Sequence, residues 1–124
     1  WIYARGIQGG NAQTNKSVSL EKIIFSQKVL EYFDDLFVIL FHRDYFSYEE
    51  NAEAYLDKIV DFIYKSIDNF PHKTSPKQLK YLGSKYIFYR ANSRTVWYLF
   101  FESKDKKYLI TGITNSHSEE AKYL

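Results

Sequence analysis

Across residues 71–84 the hydrophobic period of this chain changes, and that change narrows the folds open to it. Before the break, apolar residues recur every three or four positions, the spacing of one helix face. After it they come as short runs rich in Tyr, Phe, Ile and Val, separated by polar turns, the pattern of β-strands. Helices gathered in one half and strands in the other imply an α+β fold.

The helical half opens with a short strand over Val18–Phe25, followed by Ser26, a good helix-capping residue. Val29, Phe33, Leu36, Phe37 and Leu40 then form one stripe, and Leu30, Tyr32, Ile39 and Phe41 widen it. This predicts a well-buried helix to about Arg43. Ser47-Tyr-Glu-Glu50 fits a capping box, in which Ser and a Glu three residues on satisfy each other's backbone amides. The second helix carries Ala52, Tyr55, Leu56, Ile59, Val60, Ile63 and Ile67 on one face, and Glu49, Glu53, Asp57 and Asp61 on the other. Asn69-Phe70-Pro71 ends it. The short link between the helices predicts an antiparallel pair.

In the other half, Leu79 and Leu82 anchor a loop, and Lys85–Ala91, Arg94–Glu102 and Lys107–Thr114 read as strands joined by hairpins. The middle strand is apolar on both faces, as a central strand should be. Ser118 opens a final helical turn, Glu119–Leu124. The predicted order is β-α-α-β-β-β-short α: an antiparallel sheet of about four strands, with an N-terminal helical hairpin packed on one face and the other face free to bind. Residues 1–17, rich in Gly, Gln and Asn, read as a flexible leader or an expression remnant, and residues 18–124 as a single domain. Methionine is absent even at position 1, which suggests a processed or missing start.

Composition trims the list of functions. With no cysteine, disulfides, thiol catalysis and Cys-based zinc sites are excluded. The three histidines, at 42, 72 and 117, fall on three different elements, so no metal site is expected. No phosphate loop, dinucleotide fingerprint or nucleophile elbow occurs, and no cofactor is expected. The longest apolar run, Leu36–Phe41, is far short of the ~20 residues of a membrane-spanning helix. Paired carboxylates lie mainly on outer helix faces and read as solvated.

The net charge of +2 hides a split. Residues 1–70 hold seven Lys or Arg against eleven Asp or Glu, and residues 71–124 hold ten against four. Between His72 and Phe101 stand six basic residues (Lys73, Lys77, Lys80, Lys85, Arg90, Arg94) and no acidic one. Such a stretch is either a solvated lysine-rich face or a phosphate-binding one. The twelve Tyr, ten Phe and two Trp likewise serve core packing and strand formation, or stacking on nucleobases.

The chemistry-bearing residues left are Lys85 and Arg90 on one strand, Arg94 across the hairpin turn, His117 after the last strand, and Tyr123. The odd offset between Lys85 and Arg90 points them to opposite sheet faces. Lys, Arg, His and Tyr suffice to cleave RNA without a metal. The substrate's own 2′-hydroxyl attacks the adjacent phosphate, and the protein moves protons and steadies charge. Each residue has an ordinary role too: Lys85 and Arg90 as solvated strand positions, His117 at a helix entry, Tyr123 as terminal packing.

The element order resembles that of the RelE/ParE toxins of bacterial toxin–antitoxin (plasmid stabilisation) systems. The run Lys85-Tyr-Ile-Phe-Tyr-Arg-Ala-Asn-Ser-Arg94-Thr-Val-Trp-Tyr and the segment Tyr108-Leu-Ile-Thr-Gly-Ile-Thr-Asn-Ser-His117 share in that resemblance, as does the short C-terminal tail. The resemblance covers about residues 20–124. It implies a cytoplasmic, RNA-binding endoribonuclease (an mRNA interferase) that cuts mRNA on the ribosome and inhibits translation. On that reading Arg94 holds the scissile phosphate, Lys85 and His117 transfer protons, and Tyr123 orients a base. Lys77, Lys80 and Arg90 contact phosphates. Ile87 stands where the ribonuclease branch carries a second strand lysine. The ParE-like branch instead inhibits DNA gyrase, and a degenerate toxin would retain only antitoxin binding. In every case a cognate antitoxin is the implied partner, and no membrane is.

Overall fold

The computed structural model describes residues 22–42 and 49–124. The leader at 1–17, the start of the first strand at Val18, the helix end at Arg43 and Ser47 of the capping box lie outside the described residues.

β1 (Ile23–Phe25) passes into α1 (Gln27–His42) through Ser26 alone. The Ser26 hydroxyl accepts the Val29 amide at 3.2 Å, capping the helix as its residue type predicts. The Ser26 amide donates to the Ile110 carbonyl at 3.0 Å, which extends the sheet to the helix's first residue. α1 buries Val29, Leu30, Phe33 and Leu40. The wider stripe expected of it is not all covered. Val38, Ile39 and Phe41 are 54%, 43% and 38% exposed.

α2 (Glu49–Ser66) follows its pattern closely: Ala52, Leu56, Ile59, Val60 and Ile63 are fully buried, as is Ile67 just beyond the helix. Past α2, His72 bonds the Ile67 carbonyl at 2.6 Å through Nε2, and its ring meets Phe101 edge-on. An ion pair between Lys22 and Asp68, with Tyr108 donating to the same carboxylate at 2.8 Å, ties together the start of β1, the end of α2 and β5. These hydrogen bonds hold the Asp68 carboxyl below its ordinary range.

The strands are β2 (Lys73–Thr74), β3 (Lys85–Arg90), β4 (Val96–Lys104) and β5 (Lys107–Asn115), in the spatial order β1-β5-β4-β3-β2. The α+β class therefore stands, but the sheet has five strands, not four, and it is mixed. β1 runs parallel to β5 (Ile23↔Tyr108, Phe25↔Ile110), and the other pairs are antiparallel. A parallel partner needs a long crossover, and here everything between β1 and β5 supplies it. β4 and β5 meet at a two-residue turn in which Asp105 and Lys106 both have positive φ (54° and 63°), the geometry that matches strand twist.

The core lies between the helices and one sheet face, centred on Phe25, Phe33, Leu56, Ile59, Ile87, Leu99, Phe101 and Ile110. Burying each such side chain is worth about 1.5–3 kcal/mol. Trp97 closes its edge, donating from Nε1 to the Tyr55 hydroxyl at 2.9 Å.

The opposite face is not left free as the sequence pattern suggested. Residues 75–83, including a 3-10 turn at Lys77–Leu79, fold across part of it. Leu79 and Leu82 bury Phe100, with Tyr86, Tyr98 and Leu124 packed around them. The approach is close. A Cβ on Gly112 would lie 2.6 Å from the Leu82 carbonyl oxygen, so only glycine fits there. Next to it, the β4–β5 register shifts at Phe100/Phe101, leaving Thr111 as a bulge residue that donates to the same carbonyl at 2.6 Å.

Candidate functional site

Two stretches of chain meet at one end of the sheet: the β3–β4 turn (residues 91–95) and the exit from β5 (residues 115–118). Both are built alike. In the first, the Arg94 amide donates to the Asn92 side-chain carbonyl at 2.8 Å; in the second, the His117 amide donates to that of Asn115, also at 2.8 Å. Each is an Asx turn, in which the side chain imitates the next peptide and bends the backbone sharply. Each turn thus sets a basic residue, Arg94 or His117, at its second position past the asparagine.

The two turns are then joined. The Ser116 amide donates to the Val96 carbonyl at 2.9 Å, and the Val96 amide donates back to the Ser116 hydroxyl at 3.1 Å. That hydroxyl reaches the Arg94 carbonyl at 3.4 Å. Side chain meets side chain where Thr95 Oγ1 lies 3.0 Å from His117 Nε2. Ser118 locks the far side, accepting from Thr114 Oγ1 at 2.6 Å and donating to the Asn115 carbonyl at 2.8 Å. Arg94 and His117 are exposed but their backbones are held.

Arg90 joins this end. It pairs with Val96, which is bonded to Ser116, so Arg90 on β3, Val96 on β4 and Ser116 just past the end of β5 sit side by side. At ordinary strand spacing the outer two are about 10 Å apart. Arg90, Arg94 and His117 are thus three exposed basic residues on neighbouring chain segments at this end of the sheet.

The other sequence candidates fall elsewhere. Lys85 pairs with Phe101 at the opposite end of β3, five residues from Arg90. At the rise of a strand that is about 17 Å, so Lys85 is not brought to His117. It also lies on the face of Ile87 and Tyr89, opposite to Arg90, as the odd offset required. Tyr123 is on the terminal 3-10 turn (Glu119–Tyr123), 41% exposed, while Lys77 opens the other 3-10 turn and Lys80 follows it. Tyr123 lines a shallow pocket of about 250 Å³ between the two turns; Lys77 and Lys80 are next to its lining residues in the chain but not among them. Tyr81, 64% exposed, faces that pocket with Tyr123, and its hydroxyl donates to Glu120 Oε2 at 3.3 Å. Bonds from its own backbone amide, and from Ser118, Tyr81 and Thr114, keep the Glu120 carboxyl below its usual range, whereas desolvation and Glu120 raise the Tyr81 phenol.

Sequence reasoning missed Asn92, Asn115, Thr95 and Tyr81. The first two had a legible signal: Asn-Ser-Arg at 92–94 and Asn-Ser-His at 115–117 are one tripeptide pattern used twice. Tyr81 had none, being one tyrosine among twelve.

Among the described residues no group of three or more His, Cys, Asp or Glu side chains is placed to hold a metal ion, and no helix is long and apolar enough to cross a membrane. Compared with known proteins, the chain matches no protein-family model, no curated protein and no solved structure.

Proposed function

We propose that this chain is the toxin of a bacterial toxin–antitoxin pair, of RelE/ParE type, and that it cuts mRNA as a metal-independent endoribonuclease. The observation that supports this most is the pair of joined Asx turns, which carry Arg94 and His117 on adjoining stretches of chain.

The chemistry follows from those groups. His117, one of whose ring nitrogens is held by Thr95, takes the proton of the ribose 2′-hydroxyl. That oxygen attacks the adjacent phosphorus, the bond to the 5′-oxygen breaks, and the leaving oxygen takes a proton from solvent water, to which protonated His117 returns the one it gained. The products are a 2′,3′-cyclic phosphate and a 5′-hydroxyl. Arg94, with Arg90 nearby, offsets the charge that builds on the phosphate. Lys85 is assigned no proton-transfer role, because the strand carries it away from this end. Lys77, Lys80 and Tyr123 contact the RNA beyond the scissile phosphate. The cognate antitoxin is the protein partner, and ribosome-bound mRNA in the cytoplasm is the target.

The test is induction in a bacterial host with RNA integrity and translation followed over time. Wild type should stop growth and leave cut transcripts with cyclic phosphate ends, and Arg94→Ala with His117→Ala should do neither. Growth arrest with intact transcripts, undiminished in that double variant, would overturn the proposal. It would favour instead a ParE-like inhibitor acting on gyrase through a protein interface. The exposed Val38, Ile39 and Phe41 on α1 speak for that second reading, which a supercoiling assay measures directly.

A further inference from the structure

Among the described residues, the ring of His117 is held by a single hydrogen bond, between its Nε2 and Thr95 Oγ1 at 3.0 Å, across 22 positions of chain. Thr95 is well placed to hold it. Its carbonyl accepts the Ala91 amide at 2.9 Å and the Asn92 amide at 3.5 Å. On either side of it, the Arg94 carbonyl and both backbone groups of Val96 are bonded to Ser116. A β-branched side chain on a held backbone has little choice of χ1, so the hydroxyl is a fixed post.

The other ring nitrogen, Nδ1, has no hydrogen-bond partner among the described residues. The donor built into the same residue, the His117 amide, is committed to Asn115 Oδ1 at 2.8 Å. A neutral imidazole carries one proton, and its bond to Thr95 can be made in two ways. With the hydroxyl donating, Nε2 is occupied and Nδ1 carries the proton, so neither nitrogen can take another while the bond lasts. With Nε2–H donating, Nδ1 keeps a bare lone pair. Protonation then leaves the bond to Thr95 intact, because both nitrogens of the imidazolium donate. Only the second arrangement serves both charge states with the ring in one orientation.

We propose that Thr95 is a positioning residue for His117. Its hydroxyl accepts Nε2–H, fixes the ring in that tautomer, and makes Nδ1 the nitrogen that takes the proton of the ribose 2′-hydroxyl. Thr95 keeps its own hydrogen throughout. The use of Nδ1 rests on the ribonuclease reading, whereas the tautomer does not.

The experiment has two arms, each on the purified full chain as wild type, Thr95→Val and Thr95→Ser. The first reads the tautomer of the neutral His117 ring by nitrogen-15 NMR and needs no RNA. Wild type and Thr95→Ser should show Nε2–H alone, and Thr95→Val, which keeps the shape but lacks the hydroxyl, a mixture of both tautomers. A wild-type ring protonated on Nδ1, or a tautomer unchanged in Thr95→Val, would overturn the proposal. The second arm measures kcat and KM on a single-stranded RNA. Thr95→Val should lower kcat about 2- to 10-fold, the rate equivalent of one ordinary hydrogen bond, with KM and the unfolding midpoint held, and Thr95→Ser should recover most of the loss. Rate and midpoint falling together and equally in both variants would mean that Thr95 only braces the turn, and would overturn it too. The tautomers as stated with no cleavage by wild type keep the hold on the ring and remove the enzyme. Cleavage at the full rate by Thr95→Val keeps the enzyme and removes the role of Thr95.

Discussion

The helix-covered face of the sheet and its Asn92–His117 end are built on opposite principles. The face is dry: Ile87, Leu99, Phe101 and Ile110 meet Ile59, Ile63 and Phe33 with no solvent access. Its order comes from packing, and any side chain removed there leaves a void. The end is wet. Arg94, His117 and Arg90 are exposed, and order comes from backbone and side-chain hydrogen bonds that fix the turns beneath them. The difference teaches where each kind of residue can change. Packing residues carry stability and have little freedom, whereas the exposed cations, apart from the bond of His117 to Thr95, take little part in the packing and are available for chemistry.

Breaking the dry side should give the largest effect. Phe101→Ala removes a fully buried ring that packs against His72 and Tyr108, and should lower stability by about 3–5 kcal/mol in a denaturant titration. Arg94→Ala attacks the wet side. It should lower the RNA cleavage rate by about 10²- to 10³-fold, the usual cost of losing one charge-stabilising group, with the unfolding midpoint held. Asn115→Ala probes the layer between. Losing the acceptor for the His117 amide should cost about 1 kcal/mol, measurable as a small fall in stability and a comparable loss of rate.

The smallest effect concerns pH. Asp68 has a folded pKa below its unfolded one, chiefly through its bonds to Lys22 and Tyr108. Its contribution is therefore complete above the unfolded carboxylate pKa and lost as pH falls through the folded value. Asp68→Asn should flatten the acid limb of the stability profile and leave cleavage near neutrality unchanged.

Much of the packed side was legible in advance, because a helix stripe or a strand alternation is itself a record of burial. The α2 face, the start of α1 at Ser26 and the three long strands follow directly from those periods. The parallel pairing of β1 was not legible. Three residues carry no register information, and their partner lies some eighty positions away, as Ile23 and Tyr108 show. Nor was the folding of residues 75–83 across the second face, since a loop has no period and its two anchors, Leu79 and Leu82, do not say which surface they cover.

The candidate site was legible in part for a different reason. Arg94 and His117 stand at turn signals, and the two turns are joined through Thr95 and Ser116. Lys85 stood nine residues from Arg94 in the chain, but an extended strand converts short sequence separation into distance. Tyr123 went to the pocket between the two 3-10 turns because the terminal turn packs on residues 78–81, which no local pattern announces.

The most direct test of the central claim is the cleavage rate of purified His117→Ala on a single-stranded RNA, measured beside wild type and Lys85→Ala, with unfolding midpoints taken for all three. The account predicts that His117→Ala loses about 10²- to 10⁴-fold in rate, as expected for a general acid–base group, while Lys85→Ala keeps the wild-type rate and all three midpoints agree. Undiminished cleavage by His117→Ala, or a loss confined to Lys85→Ala, would contradict it.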